Sequence, residues 1–298
     1  MKILLLGKGG NVGQELQRTL LPFGDVAALC RHDADLEDLP GLKTVLARQA
    51  PDIIVNAAAY TSVDQAQSHE QSAYRINAEA VAILADYARR HGALLVHYST
   101  DYVFDGAKRE PYVETDEPNP LNSYGASKLA GEIAVSRSGC DFLVLRTSWV
   151  YSSHGSNFVK TILRLANERS ELRIVADQHG APTSAEMIAD VSALAIAGYR
   201  SGRLERGIYH LAASGETTWH GLACHIVERA IQNGVPLQTA PDRIVPIATE
   251  EYPVPAKRPK NSRLDTQALT GALGLQFPDW KVHANRVIDQ LTKVDIAK

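Results

Sequence analysis

The stretch LLLGKGGNVGQEL, residues 4–16, sets glycines at positions 7, 10 and 13 between an apolar run and a helical pattern. An apolar run without polar alternation is how a parallel strand buried on both faces reads. The register is G-x-x-G-x-x-G, because valine at position 12 breaks the alternative G-x-G-x-x-G. Gly7 suits a tight turn, Gly10 lets a pyrophosphate approach the backbone, and Gly13 lets a helix lie close to the strand. The helix N-terminus then offers unpaired N–H groups and the positive end of its dipole. A turn built only for packing would use the same letters. The strand before it and the helix after it favour a dinucleotide site.

Outward from that loop, short apolar runs alternate with helical patterns. The runs are KILLL (2–6), VAALC (26–30), DIIVN (52–56), ALLVHYS (93–99) and FLVLRTS (142–148). Helices are expected near 12–22, 40–50, 66–91 and 123–137, with Pro40 suited to a helix start and Gly92 to a stop. Strand–helix alternation implies right-handed crossovers and an α/β fold of Rossmann type, a doubly wound parallel sheet. Beyond residue 150 the alternation loosens, and YPVPAKRPKNSR (252–263) reads as an extended loop. The expected layout is a dinucleotide-binding domain over 1–150 and a smaller α/β substrate-binding part over 151–298, interleaved with the first.

Composition narrows the class. The 298 residues include 45% hydrophobic and 22% charged side chains, with a net charge of −3, as in an ordinary soluble globular protein. No block of like charge suggests nucleic acid or a membrane surface as a partner. Three scattered cysteines, Cys30, Cys140 and Cys224, argue for a reducing cytoplasm rather than a disulfide framework. The opening MKILLLGKGG has the charge and apolar run of a leader, but glycines end the run after four residues, so it reads as a first strand.

Ligands of open α/β sheets bind beyond the carboxyl ends of the strands. At the end of strand two, Cys30 stands where a carboxylate would hold the ribose of NAD, and Arg31 follows. That favours the 2′-phosphate of NADPH, while Asp33 and Asp35 leave NADH open. At strand three, Ala57, Ala58 and Ala59 would let a cofactor lie against the backbone. Strand four delivers Ser99, Thr100 and Asp101, and its His97 reads as a satisfied interior histidine. Within NPLNSYGASKLAGE (119–132), Tyr124 and Lys128 stand one helical turn apart, on one face. Alone such a pair carries little; joined to the glycine loop and Thr100 it carries much.

The combination resembles the extended short-chain dehydrogenase/reductase superfamily, whose Ser/Thr–Tyr–Lys triad matches Thr100, Tyr124 and Lys128. Within it the chain is most similar to the dTDP-4-dehydrorhamnose reductase family. The carriers are VNAAAYTSVDQAQS, VHYSTDYVFDG, NSYGASKLAGE, LRTSWVY, DQHGAPTSAE, YHLAASGETTWH and RPKNSRLD, spread from the N-terminus to about residue 265. The resemblance implies an NADPH-dependent oxidoreductase that reduces a nucleotide-linked 4-keto sugar in polysaccharide precursor synthesis. It places the cofactor against Gly7, Gly10, Asn11, Val12, Gly13, Arg31, Asp35, Leu36, Ala57, Ala58, Ala59, Tyr60, Thr61, Tyr98, Tyr124 and Lys128. It places the substrate against Thr100, Asp101, Trp149, Asn157, Trp219, Arg258 and Asn261, with Arg258 as a diphosphate clamp. Tyr124 would be the proton donor, its phenol made more acidic by the Lys128 ammonium.

Some family members are associated with magnesium held by carboxylates at a dimer interface. Glu15 and Glu186 match two such positions, but Gln290, beside Asp289, stands at the third, so a solvated glutamate pair without metal is expected. Monomer and homodimer both stay open. Two other readings share the fold. A 4,6-dehydratase or epimerase would want a glutamate where TDYVF has Tyr102, and a non-catalytic NADP-binding regulatory subunit would not need an intact triad.

Overall fold

The structure, a computed structural model, describes residues 1–292; the last six residues of the second expected unit lie outside the described residues. The first half runs β1 (Lys2–Leu6), α1 (Asn11–Thr19), β2 (Asp25–Leu29), α2 (Leu39–Gln49), β3 (Ile53–Asn56), α3 (Val63–Ala66), α4 (Glu70–Tyr74), α5 (Ala80–His91), β4 (Leu94–Thr100), α6 (Ser123–Ser138) and β5 (Asp141–Thr147). The second half adds β6 (Val150–Tyr151), α7 (Phe158–Glu168), β7 (Leu172–Val175), β8 (His179–Gly180), β9 (Thr183–Ser184), α8 (Ala185–Arg200), β10 (Gly207–His210), β11 (Thr217–Thr218), α9 (Trp219–Gln232), β12 (Ile244–Ile247), α10 (Gln267–Leu273) and α11 (Trp280–Thr292).

One six-stranded sheet carries the fold, in the order β10-β5-β4-β3-β1-β2, with every pairing parallel. Strand side chains alternate between faces, and β1 shows the result. Ile3 and Leu5 enter one buried apolar cluster with Leu16 of α1, while Leu4 and Leu6 enter another with Leu42 of α2 and Leu84 of α5. A sheet cored on both sides needs strands that are apolar throughout, which is why the five runs are legible in the sequence. The sixth strand, β10, comes from beyond residue 150 and pairs with β5. The chain order therefore reverses between β1 and β3, and a crevice opens there.

The expected helix over 66–91 is not continuous. A π-helical turn, Arg75–Glu79, separates α4 from α5. Its Asn77 side chain accepts from the Tyr60 backbone N–H at 2.9 Å and donates to the Tyr60 carbonyl at 3.0 Å and to Ser127 Oγ at 3.0 Å. Those bonds join the turn to the β3 exit and to α6. Such turns concentrate at functional sites, and Ile76 on this one lines the cleft described below.

Candidate active site

The glycine loop forms the floor of the site. Gly7 has φ +86°, and a Cβ there would stand 2.7 Å from the Ala58 amide nitrogen. A Cβ on Gly13 would stand 2.0 Å from the Gly7 carbonyl oxygen, so α1 touches the turn it follows. Gly10 occupies the N-cap of α1 with no side-chain cap, leaving the first N–H groups of the helix for a ligand. Above this floor a cleft of about 910 Å³ runs along the carboxyl ends of β1, β3 and β4.

Most of the expected residues line that one cleft: Gly7, Gly10, Asn11, Val12, Arg31, Asp35, Leu36, Ala57, Ala58, Ala59, Thr61, Tyr98, Thr100, Asp101, Tyr124, Lys128, Trp149 and Trp219. Gly13 lies beneath the floor, and the Tyr60 backbone is tied to Asn77. At the β2 edge, Asp33 takes hydrogen bonds from the Cys30 N–H and Sγ at 3.0 and 3.1 Å and pairs with Lys8 at 3.3 Å. Those contacts hold its carboxyl down at about 2. Arg31, with its side chain 72% exposed, pairs with Asp35 and Glu37.

The expected triad residues converge where β4 meets α6. The Thr100 hydroxyl donates to Asp101 Oδ1 at 2.9 Å and accepts from the Tyr102 N–H at 3.1 Å. Burial pushes the Asp101 carboxyl up to about 7. Asn122 caps α6, accepting from the Gly125 N–H at 2.8 Å, and so sets the first turn that carries Tyr124. A Cβ on Gly125 would meet the Tyr102 carbonyl oxygen at 2.2 Å, so this turn rests directly on the β4 exit.

One expectation fails here. The Lys128 ammonium was expected to acidify the phenol of Tyr124, but its Nζ bonds the Tyr98 carbonyl at 2.6 Å and stands 3.3 Å from His97 Nε2. Burial lifts the phenol to about 12, with the hydrogen bond to Thr100 pulling the other way. Burial also lowers Lys128 to about 8. Sharing one helix face put the two side chains in one cleft, yet the long lysine stem found partners on β4. His97 is the satisfied interior histidine its position suggested, fully buried and bonded to Asn56.

At the end of the cleft expected to take substrate, Trp149 and Trp219 stack with ring centroids 3.6 Å apart. Trp149 sits at φ +48°, an uncommon conformation for a bulky residue and a pointer to function. Its indole needs Gly180, where a Cβ would lie 2.6 Å away. Three expected contacts are not brought to the cleft wall. Asn157 caps α7 and ties the 152–154 carbonyls. Arg258 makes a two-pronged pair with Asp64 at 2.7 and 3.1 Å. The Asn261 amide donates to the Lys108 and Glu110 carbonyls. Sequence reading missed Gly155, Ser156 and Phe158, which do line the cleft. The signal was SSHGSN directly after Val150–Tyr151, a polar turn that reaches Asn11 through Ser152 Oγ at 3.0 Å.

Magnesium does not fit. Glu186 receives Arg286 Nε at 2.9 Å with His283 Nδ1 at 3.5 Å, and Glu15 faces His154 at 3.8 Å. Both glutamate side chains are about a fifth exposed, so they are enclosed and paired rather than solvated as expected. Gln290 shares their 470 Å³ cavity as a neutral amide beside Arg18 and Arg286. Among the described residues no group of three or more His, Cys, Asp or Glu could hold a metal ion.

A glycine-floored cleft at the sheet's switch point, with Thr, Tyr and Lys gathered at one end, defines a dinucleotide-dependent oxidoreductase of the extended short-chain type. Residues 1–293 match the family model described as RmlD substrate binding domain. A dTDP-4-dehydrorhamnose reductase of Burkholderia thailandensis is 50% identical over 94% of this chain and 96% of its own length. The crystal structure of a dTDP-4-dehydrorhamnose reductase from Clostridium acetobutylicum superposes with a TM-score of 0.89 at 35% identity, covering 98% of this chain and 99% of that one. That of the Bacillus anthracis enzyme, solved in complex with NADP, gives 0.87 at 35% identity, covering 97% and 100%. The chain belongs to the dTDP-4-dehydrorhamnose reductase family.

Proposed function

We propose that this chain reduces the C4 carbonyl of dTDP-4-dehydro-L-rhamnose to give dTDP-L-rhamnose, using NADPH. The observation that carries the reading is the meeting of Thr100, Tyr124 and Lys128 in the cleft floored by Gly7 and Gly10. A nicotinamide held over the Gly7 and Gly10 floor would supply a hydride to the sugar carbon. The chain's own groups serve the oxygen. Thr100 donates a hydrogen bond to it, and Tyr124 gives it a proton as negative charge develops, which is where stabilisation accelerates the step.

The resting phenol, at about 12, is fully loaded with its proton but is a weak acid. A Lys128 ammonium swung to about 4–5 Å would contribute roughly 3–4 kcal/mol at an effective dielectric of ~20, lowering the phenol by about 2–3 units. Lys128 thus has work to do only after leaving Tyr98 for the cleft, where it also holds the nicotinamide ribose. Arg31, a cation beside the cleft at the β2 edge, suits a 2′-phosphate and favours NADPH over NADH. Trp149, Trp219 and Asp101 would meet the sugar and base. Arg258 would turn from Asp64 to the diphosphate, whose geometry its paired donors match, with Asn157 and Asn261 bracing the surrounding loops.

The test is turnover. Purified protein should oxidise NADPH when dTDP-4-dehydro-L-rhamnose is added and release dTDP-L-rhamnose. Turnover with a different 4-keto sugar nucleotide alone would overturn the substrate and leave the reaction class standing.

A further inference from the structure

Beneath the reacting groups, three buried polar side chains form a chain whose donors and acceptors can be assigned one by one. Asn56, at the end of β3, accepts the Ala58 N–H on Oδ1 at 3.2 Å. Its amide nitrogen therefore faces the other way, toward His97 Nδ1 at 3.2 Å. An amide nitrogen only donates, so His97 Nδ1 must accept, and a neutral imidazole then carries its proton on Nε2. That Nε2–H points at Lys128 Nζ, 3.3 Å away. An ammonium has three donors and no acceptor, so a charged Lys128 would set donor against donor at this contact. An imidazolium would do the same at Asn56.

We propose that His97, its tautomer set by Asn56, is a positioning residue that parks Lys128 as a neutral amine, accepting from His97 and donating to the Tyr98 carbonyl, and that gaining a proton releases Lys128 into the cleft. The proposal rests on the reading of Lys128 as a catalytic and ribose-binding residue. The surroundings agree with it. His97 and Lys128 are 0% and 2% exposed, where a charge is costly without a paired counter-ion. From α6 the only carboxylate near Lys128 is Glu132, and Arg146 of β5 takes both of its oxygens, at 2.9 and 2.7 Å. From β4 come His97 and the Tyr98 carbonyl, and the first turn of α6 adds the neutral phenol of Tyr124. Asp101 hydrogen-bonds Thr100. Burial and the neighbouring lysine push His97 well below its usual range, and burial lowers Lys128, both in the direction of the neutral pair.

Parking has a measurable consequence. If cofactor binding needs the ammonium, each cofactor bound above about pH 8 must bring one proton into the protein. NADPH affinity should then fall roughly tenfold per pH unit there. Asn56→Asp keeps an oxygen for the Ala58 N–H but presents a second acceptor to His97, so the imidazole should flip to the Nδ1–H tautomer and offer Nε2 to a charged lysine.

The experiment labels histidine with ¹⁵N and reads the His97 tautomer by long-range ¹H–¹⁵N correlation in the cofactor-free protein, alongside NADPH titrations across pH. The account expects Nε2–H in the wild type with the pH-dependent affinity. It expects Nδ1–H in Asn56→Asp, with the onset of that dependence moved upward by a pH unit or more. An Nδ1–H tautomer or an imidazolium in the wild type would overturn the proposal, as would NADPH affinity flat above about pH 8. The tautomer is read without substrate or turnover, so the proposed reaction can fail while this result stands, and the reverse.

Discussion

The two halves of the cleft are built from different material. The half proposed for the cofactor is backbone: the Gly7 turn, the open N-terminus of α1 and the alanines after β3, all fixed by the sheet beneath them. The half proposed for the substrate is side chains that already hold one another, Trp149 against Trp219, with Arg258, off the cleft wall, held on Asp64. On the proposed assignment a dinucleotide diphosphate would enter a finished cradle, whereas the sugar nucleotide would have to displace internal partners before making its own contacts. Preformed sites lose little to reorganisation on binding, and side chains that must let go of partners lose more. Lys128 belongs to the second kind although it sits beside the first.

The largest effect is expected at Tyr124, the group proposed to give the reacting oxygen its proton from between the halves. Tyr124→Phe keeps the ring and its edge contact with Tyr102, so both binding halves should survive. The rate should fall by at least ~10²-fold while NADPH affinity measured by fluorescence stays put. A variant that kept most of its rate would move the proton source elsewhere.

Within the cofactor half, Arg31 is the side chain that should read the 2′-phosphate. A hydrogen bond to a charged group is worth about 1.5–3 kcal/mol, so Arg31→Ala should weaken NADPH roughly 10- to 150-fold. NADH should be nearly untouched. Equal losses on both cofactors would place Arg31 on the adenine or on the fold, since its partners Asp35 and Glu37 would then be its main purpose.

The substrate half should respond more gently. If Trp149 exchanges Trp219 for a ring of the nucleotide, that new aromatic contact would be worth about 0.5–1.5 kcal/mol beyond its buried area. Trp149→Ala should therefore raise the KM for the sugar nucleotide roughly 2- to 12-fold and leave the cofactor constant unchanged. A rise in the cofactor constant instead would show that the two halves are not separate.

A separate effect, outside the kinetics of either half, is expected on stability against pH. The Asp101 carboxyl is held near 7 in the folded chain, above its ordinary value of about 3.9, so the native state binds the extra proton between those values. Its contribution to stability is present at the acid end and fades as pH rises toward 7. Asp101→Asn should flatten that fall in thermal unfolding profiles; an unchanged profile would mean the carboxyl titrates normally.

The same division explains what the sequence could tell. β1 is apolar on both faces because the sheet has a core on each side, so both the strand and the glycines after it are legible. Ala57 to Ala59 and Thr100 follow from the strands that deliver them. The π-turn at Arg75–Glu79 was not legible, because its cause is Asn77 reaching Tyr60 and Ser127, far apart in the chain. The partners of Arg258 and Asn261 were hidden for the same reason: Asp64 and the Lys108 and Glu110 carbonyls lie well over a hundred residues away. Lys128 shows the limit most plainly. Helical spacing places its Cα correctly, while four flexible bonds and a strand carbonyl decide where its nitrogen goes.

The cleft is proposed to bring a hydride donor and the Tyr124 proton to one sugar carbonyl. NADPH carrying deuterium at the transferable C4 position tests it directly, with dTDP-4-dehydro-L-rhamnose as substrate and the product sugar read by proton NMR. The account predicts deuterium at C4 of the sugar only, with the loss of signal there matching NADPH consumed. Deuterium at another carbon, or consumption of NADPH with none in the sugar, would contradict it.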